Sequence, residues 1–313
     1  MVNGLNLAFQ FLDSFAFIVL AAAGLAIIFG IMGVINLAHG EFILMGAYGT
    51  TLAVTKLGLP LPVAMGVGAL VTAGFGLIVE RTIISGFVPN WLGQRTIGRD
   101  LIDPLYDRLA DSMVATFGLS LIMVQGARIL FGNSIETVAT PLGNVAYGEF
   151  SYSTYRVVLA GVSIAILVAV YYLFTRTDYG MRARATIQDE DTAKALGVDT
   201  ERIYMTTFAV GSGLAGLTGA LFAPVLSMQP TLGDQFLVEA FVAVVVGGPS
   251  VVLGTALSGG ALGLVNATVT NLLDSTTFGR IGLLVVAILA LRFLPEGITG
   301  FIERIRARRQ EGE

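Results

Sequence analysis

Long apolar runs separated by short polar stretches dominate the chain. Residues 14–38 carry no charge, and residues 42–79 carry only Lys56, with Pro60 and Pro62 just after it. Further uncharged runs cover residues 112–125, 157–175, 203–233 and 241–273, and the run at 281–295 is interrupted only by Arg292. A helix needs about 20 apolar residues to cross ~30 Å of hydrocarbon. The longest runs must therefore hold two passes or a break. The pattern predicts an all-α polytopic membrane protein with about eight or nine transmembrane helices.

The polar stretches set the expected orientation. Arg81, Arg95, Arg99 and Arg108 fall in one, and Arg176, Arg182, Arg184, Lys194 and Arg202 in a second. The tail adds Arg304, Arg306, Arg308 and Arg309, so the three hold 13 of the 18 basic residues. Basic loops stay on the cytosolic side during insertion. This places residues 81–111, a loop at about 176–202 and the tail 302–313 inside. Parity then puts the connection 132–155 and the N-terminus outside.

Composition narrows the function classes. Hydrophobic residues make up 55% and charged residues 13%, about half the ~25% charged content of soluble domains. A net charge of −4 gives no basic bias toward nucleic acid. With no cysteine and with His39 as the one histidine, thiol chemistry and a multi-histidine metal centre are excluded. No metal, cofactor or catalytic residue is predicted. The first residues up to Asp13 lack a basic segment and do not read as a cleaved signal peptide. Residues 1–313 read as one transmembrane domain.

Small residues recur at helical spacing. Gly213, Gly216 and Gly219 form one row, and Gly254, Ser258, Gly259 and Gly263 another; both suit close helix packing in lipid. Gly211 to Gly216 also spells a dinucleotide-binding pattern, but it lies inside an uncharged run without the strand that such a loop must follow. A phosphate-binding loop needs Lys followed by Ser or Thr. Lys56 precedes Leu57 and Lys194 precedes Ala195, so the chain encodes no ATPase of that type. Ser120 lacks the second glycine of a nucleophile elbow.

Two places interrupt the apolar pattern. Asn36, His39 and Glu41 surround Gly40. They read either as a boundary cap on a helix or as the lining of a solute pathway, since polar groups at membrane depth are costly. Gly247, Gly248 and Pro249 split the run at 241–273. They read either as a tight turn between two spans or as a half-helix junction beside the pathway.

The segment 181–202 holds a short helix by pattern. Asp189, Glu190 and Asp191 favour a helix start, Ala193 to Leu196 are good helix formers, and Gly197 suits the left-handed stop. The expectation is about two turns, with Ile187 and Leu196 as candidate apolar anchors; so short a helix is marginal in water, so either its own protein or a partner's groove must hold it.

Asp191-Thr192-Ala193, followed after three residues by Gly197, resembles the "EAA…G" coupling loop of bacterial ABC importer permeases. Gly24 to Ala26, Phe29 to Glu41 and Gly46-Ala47-Tyr48 resemble the N-terminal signature of branched-chain amino acid ABC permeases of the LivH type. Arg184-Ala185, Phe208 to Gly219, Ala240 to Gly248, Gly254 and Gly259 to Gly263 fit the same family in order, so the resemblance covers about residues 20–300. It implies a permease subunit that imports branched-chain or hydrophobic amino acids by alternating access. It further implies ATPase-coupling residues at Arg184, Ala185, Asp191, Ala193 and Gly197. The implied partners are a second, LivM-like permease, two cytosolic ATPase subunits and an extracytoplasmic solute-binding protein, in the bacterial cytoplasmic membrane. Departures at Ser250, Asn266 and the stretch 95–111 bear on the solute, and the turn Pro230 to Gly233 also looks like the related urea permeases, with short-chain amides a third option. An ion-coupled secondary transporter is the alternative of another class. It would need buried coupling acids, for which Glu239 and Glu41 are the candidates.

Overall fold

The computed structural model describes residues 2–86, 105–106, 108–147 and 150–310. The chain order is α1 (Val2–Met32), α2 (His39–Thr55), α3 (Leu61–Val79), a π-helical extension of α3 (Glu80–Ile84), α4 (Leu109–Phe131), β1 (Asn144–Tyr147), β2 (Phe150–Ser153), α5 (Thr154–Arg176), α6 (Asp178–Gln188), α7 (Glu190–Ala195), α8 (Thr200–Phe222), α9 (Asp234–Gly247), α10 (Val251–Leu273), α11 (Thr276–Phe293) and α12 (Gly297–Gln310). Seven of the helices described are long and apolar enough to cross a membrane. The count from sequence is higher because it includes α2 and α9, which are only 17 and 14 residues long. The strands among the described residues form one antiparallel hairpin, with Val145 opposite Tyr152, inside the connection 132–155. Arg95, Arg99 and most of the unusual stretch 95–111 lie outside the described residues.

Side chains sort by polarity the way lipid requires. On α4, Val114, Ile122 and Ile129 are 71–83% exposed, whereas Ser112 and Thr116 are fully buried. A soluble protein would reverse this arrangement. The buried hydroxyls bond to the carbonyl one turn back: Thr50 to Gly46 and Thr72 to Gly68 at 2.8 Å, Thr207 to Ile203 and Thr255 to Val251 at 2.6 Å. Each helix thus satisfies its own polar groups where no water can.

The chain forms two compact units. One comprises Ile27–Val138 and Tyr172–Leu237. Its centre is α2, α3 and α8, which meet through small residues. A Cβ on Gly46 would fall on the Gly216 backbone, and one on Gly219 would fall on the carbonyl of Ile43. A Cβ on Gly213 would stand 3.2 Å from that of Ala73. The predicted row on α8 is therefore a packing face. Phe42 fills the space beside these contacts, 5.6 Å from Phe75 and 6.0 Å from Phe208 between ring centres.

The other unit comprises Met1–Ala26, Ala139–Tyr171 and Val238–Glu313. Its second glycine row also packs, since a Cβ on Gly259 would meet Val19 at 2.5 Å and one on Gly263 the Phe15 backbone at 3.1 Å. Two ion pairs lie inside it. Arg156 reaches Asp13 at 2.5 Å, and Arg280 reaches Glu239 at 2.7 Å.

Gly219→Val places branched carbons against the α2 backbone, which cannot yield as a flexible side chain would. It should destabilise the protein by about 1–3 kcal/mol or more in denaturant titration of the detergent-solubilised chain. Gly66→Ala has open space around it and should be neutral or slightly stabilising. Equal effects of the two would contradict the packing described.

Candidate functional site

The helical hydrogen-bond ladder stops at Met32 and resumes at His39, leaving a buried break that other groups must satisfy. The Asn36 side chain turns back so that its Oδ1 accepts from the Ala38 N–H at 3.0 Å. Thr116 on α4 serves both sides of the break: its hydroxyl accepts from the Leu37 N–H at 3.0 Å and lies 3.2 Å from the Ile35 carbonyl. One turn further along α4, the Ser120 hydroxyl donates to Glu41 Oε1 at 2.8 Å. Asn36, His39 and Glu41 are all buried to 98% or more. The structure brings these three predicted residues together at the start of α2, against one stripe of α4. The Gly40 and Gly233 backbones touch, with no room for a Cβ on either, which sets the turn before α9 against the same end of α2.

Gly247 and Gly248 belong to the other compact unit. There they form a tight turn from α9 into α10 that also seats α12. Gly248 (φ +86°) and Gly297 (φ +70°) lie backbone to backbone, both in the left-handed region that favours glycine. The Thr299 hydroxyl donates to the Gly247 carbonyl at 2.8 Å.

The loop between α5 and α8 contains two helices rather than one. Thr177 caps α6, accepting from the Gly180 N–H at 3.1 Å, and Asp189 caps α7, accepting from the Thr192 N–H at 2.9 Å. Those bonds from the Thr192 N–H and hydroxyl hold the Asp189 carboxyl below its ordinary value. Gly197 (φ +86°) ends the helix, its N–H donating to the Lys194 carbonyl at 2.9 Å, while the Val198 N–H donates to the Ala193 carbonyl at 3.0 Å. This is the predicted left-handed stop, although α7 itself is six residues long. Arg184 and Asp191 are exposed, Ala185 is half-buried on α6, and Ala193 is buried.

What holds α7 differs from the expectation. Ile187 and Leu196 are both exposed, Leu196 by 80%, so neither anchors the helix in this chain. The anchor is polar. Glu190 receives the Lys194 ammonium at 2.7 Å, the Tyr204 hydroxyl at 3.0 Å and the Thr200 hydroxyl at 3.2 Å. Burial by itself raises the Glu190 carboxyl, but the bonds from Lys194, Tyr204 and Thr200 bring it below its ordinary 4.5. The Tyr204 ring lies 4.5 Å from that of Tyr106, whose hydroxyl donates to the buried Glu80 at the start of the π-helical turn. Burial, and then Glu80, push the Tyr106 hydroxyl up. Sequence reading used Glu190 only as a helix starter and missed Tyr106, Tyr204 and Thr116. The spacing Ser112, Thr116, Ser120 was the available signal for the α4 stripe.

The family model for "Branched-chain amino acid transport system / permease component" matches residues 7–292. The branched-chain amino acid permease protein BraD of Pseudomonas aeruginosa is 29% identical, with 96% of this chain and 94% of that protein covered. The permease protein LivH of Escherichia coli is 27% identical over the same shares. The permease protein LivM of the same organism is 25% identical over 73% of this chain and 55% of its own length.

The Glu190 bonds predict a pH response. Its folded-state value is lowered, so the stabilisation is present above 4.5 and is lost as pH falls through the folded value. Hydrogen exchange should show amides 193–198 protected at neutral pH, with protection falling once the pH drops below 4.5 and through the lowered Glu190 value. Glu190→Gln should already reduce that protection at pH 7. Protection independent of both changes would show that something else holds α7.

Proposed function

The chain belongs to the branched-chain amino acid transport system permease family, and we propose that it is the transmembrane permease subunit of an ATP-driven importer of branched-chain or other hydrophobic amino acids, working by alternating access. The observation that carries the coupling part of this reading is α7. A helix in an inter-span loop is capped at both ends, fixed by Glu190 to the start of α8, and left with Leu196 facing outward. Such an element receives a push from a partner surface and delivers it to a membrane helix. Arg184, Ala185, Asp191, Ala193 and Gly197 are assigned to this coupling surface. Asn36, His39 and Glu41 are assigned to the solute pathway, and Gly247 and Gly248 to the turn that seats α12.

The energy source is external to the chain, because no phosphate-binding loop is encoded. Two cytosolic ATPase subunits supply hydrolysis, and this chain performs no chemistry of its own. Similarity to both LivH and LivM, named for the same transport system of one organism, supports a second permease of like fold as its partner. A solute-binding protein delivers the amino acid from outside the bacterial cytoplasmic membrane. Of the two acids an ion-coupled mechanism would use, Glu239 is engaged by Arg280, and Glu41 is assigned to the solute instead.

Reconstituted with these partners, the protein should take up leucine in an ATP-dependent way, and urea and acetamide far less. Gly197→Pro removes both the left-handed stop and its hydrogen bond. It should lower uptake about tenfold or more while membrane insertion persists. Full uptake by this variant would remove α7 from the coupling role.

A further inference from the structure

The acids buried in the two units are not treated alike. Asp13 and Glu239 carry arginine partners, whereas Glu80 and Glu41 each take a single hydroxyl, from Tyr106 and Ser120, and each keeps a buried Oε2 with no hydrogen-bond partner among the described residues; what sets Glu41 apart is its place at the helix break beside Asn36. Glu41 is 2% exposed, yet no ion pair among the described residues involves it. One of its oxygens takes the Ser120 hydroxyl, and the other, Oε2, is buried with no hydrogen-bond partner. Asp234, at the start of α9, adds a second negative charge within electrostatic reach. A carboxylate in this setting is costly unless a cation comes to it.

A complementary group lies beside it. The Asn36 Oδ1 is occupied by the Ala38 N–H, which fixes the orientation of the amide, and its Nδ2 is a buried donor with no partner. Thr116 holds the backbone on either side of Asn36, and Ser120 holds Glu41. The backbone flanking Asn36 and the Glu41 carboxyl are thus held by α4 hydroxyls one helical turn apart, those of Thr116 and Ser120. A zwitterion presents a carboxylate and an ammonium on neighbouring atoms, and the unmet Asn36 donor and Glu41 acceptor are the pair of groups it satisfies.

We propose that Glu41 and Asn36 form the binding site for the charged end of a zwitterionic amino acid, with Glu41 taking the ammonium and Asn36 the carboxylate. This deepens, and rests on, the importer reading above. Ser120 is a positioning residue that orients the Glu41 carboxylate. Selection by charge in the membrane would then add to any selection by the solute-binding protein. It would exclude uncharged amides.

The test uses the whole reconstituted complex in ATP-loaded proteoliposomes, with labelled leucine and labelled urea as probes. Glu41→Gln keeps the size and the Ser120 bond but removes the charge. It should lower leucine uptake about tenfold to a hundredfold, and Glu41→Asp should retain more uptake than Glu41→Gln. A structural role would reverse that order. Should Glu41→Gln fail to assemble, Ser120→Ala provides the second measurement, with a severalfold loss of leucine uptake below saturation expected. Wild-type uptake of leucine at the Glu41→Gln or Ser120→Ala rate would overturn the site alone. Equal urea uptake by wild type and Glu41→Gln, exceeding that of leucine, would also overturn it. Absence of any ATP-dependent uptake by the wild type would instead overturn the importer reading.

Discussion

Hydrocarbon offers no hydrogen bonds, and everything in this protein is arranged around that fact. Backbone groups close within helices, buried threonines return their hydroxyls to the preceding turn, and large apolar side chains face outward. Helices cannot be driven together by expelling water from leucine against leucine when lipid is already apolar. They associate instead where side chains are absent, as at Gly46 against Gly216 and Gly219 against Ile43. The high glycine content is the composition-level trace of this requirement.

The same constraint explains what could be read from sequence and what could not. Spans, the glycine packing rows and the stop at Gly197 depend on local composition or on backbone freedom, so they were legible. The break at Asn36 to Glu41 was visible as a polar interruption, but its two readings could not be separated. Its stabilisation comes from Thr116 and Ser120, some 80 residues away in the chain. Ser120 drew attention as a nucleophile when its hydroxyl in fact orients a carboxylate. Which groups hold α7 within this chain was not legible for a related reason. An exposed Leu196 and a partly buried Glu190 invert the usual expectation that the apolar residue goes inward, and only the position of Tyr204 resolves it.

Buried charge is used in two ways. In one unit, arginines neutralise Asp13 and Glu239 and so cross-link helices. In the other, Glu41 keeps an acceptor, and Asn36 at the same helix break a donor, without hydrogen-bond partners among the described residues. Paired acids hold structure together, because removing either partner leaves a stranded charge.

The bond between Glu190 and Tyr204 has a mechanical consequence. With the Thr200 bond, it pins α7 to the head of a 23-residue rod by two directional contacts instead of a greasy interface. Hydrogen bonds of this kind resist shear yet part cleanly when pulled along one axis. A displacement of α7 would therefore be felt at the start of α8. The tilted contact of Tyr204 with Tyr106, and through it Glu80, links the same point to the end of α3. One stroke at a six-residue spur can thereby move two membrane helices together.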